Sequence, residues 1–126
     1  MGEVAGWVYA ALALGPMAMH VALTLGAPLG AWTVGGAHPG RLPRRLRPLA
    51  LAQLGLLALM VVAIADRGGA LEVGWPGWAH WAALALTAAT AAANVMTPSR
   101  PERLLWGPVT VGMLVAAVVA FVGDST

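Results

Sequence analysis

Between Glu3 and Arg41 the chain carries no charged residue, and between Arg47 and Asp66 it again carries none. A helix of about 20 apolar residues crosses the hydrocarbon core of a bilayer, and uncharged stretches of that length are read as spans. The balance of the chain agrees: 60% of its 126 residues are apolar and 10% charged, where a soluble domain carries about 25% charged residues. Four segments meet the length requirement: residues 5–29, 48–65, 75–96 and 104–122. The sequence therefore predicts an all-α membrane protein. Residues 1–126 form a single domain, an antiparallel four-transmembrane-helix bundle. The opening Met-Gly-Glu-Val lacks the basic stretch of a secretory signal, so the first apolar segment is expected to stay as a helix.

Proline and glycine punctuate this plan. Pro48 and Pro76 fall at helix starts, where a missing N–H costs nothing. Pro39, Pro43 and Pro98 fall in connections, while Pro16 and Pro108 lie inside spans and are expected to kink them. Gly26 and Gly30 are read as turn residues rather than a helix-pairing face.

The charges set a direction. The first connection holds Arg41, Arg44, Arg45 and Arg47, and the third holds Arg100 and Arg103; the second has Arg67 beside Asp66 and Glu72. Basic residues stay on the cytoplasmic side. Six of seven arginines do so if both termini face outward. Tyrosine and tryptophan favour the two membrane surfaces, which assigns Trp7, Tyr9, Trp75, Trp78 and Trp81 to an outer belt and Trp32 and Trp106 to an inner one. The same arginines suit anionic lipid head groups, each contact worth about 1 kcal/mol near the surface. Ser99 and Glu102 have the spacing of a capping box at the start of the last span.

The absence of some residue types excludes several chemistries. With no cysteine there is no disulfide, thiolate metal site or cysteine nucleophile, and with no lysine there is no Schiff base. Ser99 and Ser125 lack a nucleophile setting, and no metalloprotease, phosphate-loop or paired-carboxylate motif occurs, so no catalytic residue is assigned. His20 and His80 differ in depth by about 16 Å, too far to share one haem iron. His38 falls in a loop, so the histidines are also too scattered for zinc, and no cofactor or metal is expected. His80, between Trp78 and Trp81, reads as a surface anchor. The high pI reflects few arginines and no basic face interleaved with aromatics, so nucleic acid is not an expected partner.

What remains is polar residues in the membrane. The carboxylates Glu3, Asp66, Glu72, Glu102 and Asp124 sit at span ends or in loops, leaving His20 as the ionisable group within a span. In the third span His80, Ala83, Thr87, Thr90, Asn94 and Thr97 follow spacings of three and four, one small and polar stripe. At 1.5 Å per residue His20 lies roughly 22 Å from the outer end of its span, Asn94 roughly 25 Å and Gln53 about 22 Å. Thr110 falls near that level, so His20, Gln53, Thr90, Asn94 and Thr110 form a candidate polar layer in the cytoplasmic half. Such groups need partners in hydrocarbon and are expected to face one another or shared water. The layer reads first as a packing device that fixes helix register, second as a solute, water or proton path, and third as a ligand pocket.

In residues 26–47 and 94–108, with Gly26-Ala-Pro-Leu-Gly30 and Asn94-Val-Met-Thr-Pro98 as their leading motifs, the chain resembles a group of small four-helix bacterial inner-membrane proteins described as hypothetical. The resemblance implies the layout and no activity. The leading expectation is a non-enzymatic accessory or scaffold protein in the cell membrane, packing with itself or with a larger membrane complex. A homo-oligomeric transporter or channel for a small solute comes second, and an intramembrane lipid-modifying enzyme third. The orientation is testable on this cysteine-free chain. An impermeant thiol reagent applied to intact cells should label a cysteine at Gly2 and spare one at Gly40; the reverse pattern overturns the assignment.

Overall fold

The computed structural model describes residues 1–123, so Asp124 and Ser125 lie outside the described residues. Its regular structure is helical throughout: α1 (Gly2–Thr24), α2 (Arg47–Gly68), α3 (Gly77–Met96) and α4 (Arg100–Val122), with short 3-10 turns in the first connection. By length and composition α1, α2 and α4 are each apolar enough to cross a membrane. The 20 residues of α3 reach about 30 Å. Its two tryptophans, two threonines, His80 and Asn94 nevertheless keep its hydropathy below the level that marks the other three as spans.

Local chemistry explains the boundaries. The first helix stops at Thr24, short of the Leu29 expected from hydropathy, because Gly26 takes φ 92°. There Gly26 N–H donates to Leu23 C=O and Ala27 N–H to Ala22 C=O, the bond pair of a left-handed glycine cap. The second helix also ends at a left-handed glycine, Gly69 at φ 91°, whose N–H donates to Asp66 C=O while Leu71 N–H donates to Ala65 C=O. Pro48 and Pro101 occupy first-turn positions in α2 and α4, and α1 and α4 run on through Pro16 and Pro108.

Contacts between helix ends show alternating directions. The start of α1 meets the ends of α2 and α4, and the end of α2 meets the start of α3. This is the termini end; the first and third connections form the loop end. The first helix packs along both α2 and α4, α3 packs along α4, and the α2–α3 seam is much thinner. The main core is built of Tyr9, Ala13, Met60, Ile64, Met113 and Ala117, and a smaller one at the loop end joins Met19, Leu23, Leu42 and Ala50. At the termini end Arg67 donates to Phe121 C=O at 3.0 Å and lies 4.8 Å from that residue's ring centroid. It thereby satisfies a terminal carbonyl of α4.

Small residues set the tightest contacts. A Cβ at Gly2 would stand 2.7 Å from Gly68 C=O oxygen, and one at Gly6 would stand 3.2 Å from the Ala65 Cα. A labelling cysteine is therefore better carried by Glu3, which is exposed. A Cβ at Gly68 would collide with the Gly2 carbonyl, whereas one at Gly55 meets nothing within 4 Å. Gly68→Ala should therefore cost about 1–3 kcal/mol through overpacking. Gly55→Ala should be neutral or stabilising by up to about 1 kcal/mol. Thermal unfolding in detergent, followed by circular dichroism, compares the two; equal midpoints would contradict the close α1–α2 contact.

Candidate functional site

The first connection does not hang free from the helices. Gly30 N–H donates to Gly40 C=O at 2.7 Å, and Ser99 Oγ donates to Ala31 C=O at 2.6 Å. Gly35, in the left-handed region at φ 62°, donates its N–H to Glu102 Oε2 at 3.2 Å. These bonds draw the loop across the loop end, where Trp32, Thr33 and Gly35 form the floor of a cavity of about 330 Å³.

All four helices wall that cavity. Its polar lining includes His20 from α1, Gln53 from α2, Thr87, Thr90 and Asn94 from α3, Glu102 and Thr110 from α4, and Thr33 from the first connection. The five residues of the sequence-derived layer thus border one space. Their side chains make no hydrogen bond from one helix to another across it. Thr90 Oγ1 donates to Leu86 C=O at 2.8 Å, Asn94 Nδ2 to Thr90 C=O at 2.9 Å and Thr110 Oγ1 to Trp106 C=O at 2.6 Å. Both hydroxyl protons, and one of the two amide protons of Asn94, are spent on the carbonyl one turn back, the local alternative open to short polar side chains in helices. Gln53 stands exposed on the rim, while His20 Nδ1 and Trp106 Nε1 are buried with no partner among the described residues.

The sequence pattern explains Glu102 only as a cap, and the structure gives it a second place. Half of the capping box forms, since Glu102 N–H donates to Ser99 Oγ at 3.3 Å. The carboxylate does not reach back: Ser99 N–H bonds Thr97 Oγ1, and the Glu102 side chain turns to Gly35. Glu102 is 8% exposed. Among the described residues its Oε1 takes no hydrogen bond, and no cation pairs with it. A signal for it lies in α4, where Glu102, Trp106, Thr110 and Met113 repeat at helical spacing and all line the cavity.

The aromatic belts also need correction. Trp7, Trp78 and Trp81 are exposed as belt residues should be. Tyr9 is fully buried, its Oη 2.7 Å from Thr87 Oγ1. Trp32 and Trp106 are half-buried and border the cavity instead of standing in an inner belt. Of the loop-end arginines, Arg41, Arg44, Arg45, Arg100 and Arg103 are exposed. Arg47 is half-buried and donates to Leu42 C=O at 3.2 Å, and Arg103 donates to Thr97 C=O at 2.9 Å.

Two further voids adjoin the cavity. One of about 300 Å³ shares His20, Thr33 and Gln53 with it and continues past Leu42, Leu46 and Leu49 toward the loop end. A groove of about 500 Å³ shares Leu56, Met60 and Leu86 and continues between α2 and α3 past Trp75, Trp78 and Ala79. The chain matches no family model, no curated protein and no solved structure.

At the termini end, beyond the apolar run of α2, Asp66 organises the entry into α3. Its oxygens accept from the N–H groups of Val73, Gly74 and Trp75 at 2.9–3.0 Å. Its Oδ2 lies 2.7 Å from His80 Nε2, so His80 is paired and not simply a surface anchor. Partial burial favours the neutral acid, but the bonds from His80 and the three amides outweigh it and hold the carboxyl below its ordinary 3.8. A lowered folded-state value adds stability above the ordinary value and loses it as pH falls through the folded one. The thermal midpoint in detergent should therefore fall on acidification below about pH 4. Asp66→Asn should start lower at neutral pH and respond less across the same window; a wild-type midpoint indifferent to that acidification would count against the pair.

Proposed function

We propose that this is a four-span protein of the cell membrane that binds a small solute between its helices, as a transporter or channel subunit does. One observation carries the reading: three adjoining voids follow a single face of α2 and the 3-10 turn before it, from Leu46 and Leu49, past Gln53 and Met60, to Ala63. From residue 46 to residue 63 is about 26 Å at 1.5 Å per residue, most of the hydrocarbon thickness. The middle void holds the polar lining, and polar or ionisable groups at membrane depth mark solute and ion paths. A packing device would have used those groups on each other across the helices, and here they face a space.

The fourth span in this reading is α3, shielded because Ala83, Thr87 and Ala91 face inward. Both termini lie outside, and the loop end with its six exposed or half-exposed arginines lies in the cytoplasm. The exception, Arg67, is held by Phe121 at the other end. The resemblance to small four-helix bacterial inner-membrane proteins fits this placement.

Native mass spectrometry of protein ejected from its own membranes tests the reading. Wild type should retain a small molecule that Asn94→Leu and His20→Leu lose, occupancy falling at least about tenfold, or about 1.4 kcal/mol, while the helical spectrum persists. Stoichiometric recovery of a larger polypeptide, with no small molecule and no effect of either variant, would instead favour the accessory or scaffold role.

A further inference from the structure

The lining of the cavity is not neutral toward the charge of what it holds. Its polar side chains carry both donors and acceptors, since Thr90, Thr110 and one of the two amide protons of Asn94 bond their own helices while the other Asn94 proton, the Gln53 amide and the Trp106 N–H do not. The one acidic group among them is Glu102, and no arginine joins the lining. Glu102, more than nine-tenths buried, receives one backbone N–H. Arg41, Arg44, Arg45, Arg47, Arg100 and Arg103 sit at the same end, yet none pairs with it among the described residues. A buried carboxylate without a cation is costly, and a bound cation relieves that cost. Two indoles, Trp32 and Trp106, border the same space, and indole faces attract cations, the more so when water is excluded.

From this we infer that the cavity takes an organic cation with an apolar body, its charge set against Glu102 and the two indoles. The inference rests on the reading of the cavity as a solute site and adds the class of solute. Access fits an apolar body: the groove between α2 and α3 meets the cavity at Leu56, Met60 and Leu86 and opens at Trp78 and Ala79 toward the helix exterior. A lipophilic cation dissolved in the membrane reaches Glu102 by that side route without passing the arginines of the loop end.

The test uses probes of similar shape and different charge on purified full-length protein in nonionic detergent. Tetraphenylphosphonium, tetraphenylborate and neutral triphenylphosphine oxide are each titrated by equilibrium dialysis against protein-free micelles. The phosphonium should bind saturably, at least about tenfold more tightly than the other two. Glu102→Gln should weaken the phosphonium by at least about tenfold and leave the neutral probe unchanged. Equal binding of all three, or phosphonium binding indifferent to Glu102→Gln, overturns the inference and leaves a solute cavity without charge preference. Saturable binding by none of the three overturns the inference and weakens the solute reading with it. The wild-type comparison decides the matter even if Glu102→Gln folds poorly.

Discussion

The close approach of α1 to α2 and α4 governs the rest of this fold. In lipid, helices gain nothing from hiding apolar surface, so contact between small residues that lets backbones meet becomes a main source of cohesion. Gly2 and Gly6 stand against Gly68 and Ala65, and Ala13, Ala116, Ala117 and Ala120 are buried nearby. Three helices drawn together in this way leave α3 one broad neighbour, α4. Where α3 faces α2 it presents Ala79, Ala82 and Ala83, side chains too small to fill the gap. The voids along the α2 face are a consequence of that mismatch.

Polar ties fix α3 where packing does not. Thr87 gives its one hydroxyl proton to Ala83 C=O at 2.7 Å, so Tyr9 is the donor in the bond between their oxygens. That bond joins α1 to α3 across the core, where Tyr9 has no exposure and Thr87 is 1% exposed. A second tie, Asp66 with His80 and the amides before α3, fixes the helix start. At its far end Arg103 and Ser99 bond Thr97. Hydrogen bonds set the position of α3, which allows the seam beside it to stay open without the helix drifting.

The uncharged runs make the helices legible, and proline and glycine place their ends to within a few residues, with Gly26 ending α1 earlier than hydropathy alone suggests. The inward side of α3 is also legible, because a spacing of three and four is the geometry of one helix face. Tertiary choices are less accessible. Tyr9 and Trp106 stand near span ends, where a membrane surface explains an aromatic residue as readily as a buried bond or a cavity wall does. Glu102 has a sufficient local explanation at the start of α4, which hides the repeat it shares with Trp106 and Thr110. That the first connection folds across the loop end depends on Gly30, Gly35 and Ser99 meeting distant partners, which no local pattern encodes.

Charge is handled in this molecule by backbone dipoles more than by ion pairs. Arg47, Arg67 and Arg103 donate to carbonyls, while Asp66 and Glu102 accept from amides. Matching a charged side chain to an orphaned group at a helix end or turn settles both partners without bringing acid and base together. The outcome differs at the two ends. At the termini end Asp66 collects three amides and a histidine, which leaves little of its charge uncompensated. At the loop end Glu102 collects a single amide, and the arginines around it either bond carbonyls or face outward. Positive charge is thereby confined to the rim and negative charge to the cavity behind it. An anion drawn to the rim finds no welcome inside, and a cation is repelled at the rim, so the side opening between α2 and α3 is the approach that the electrostatics leave unopposed.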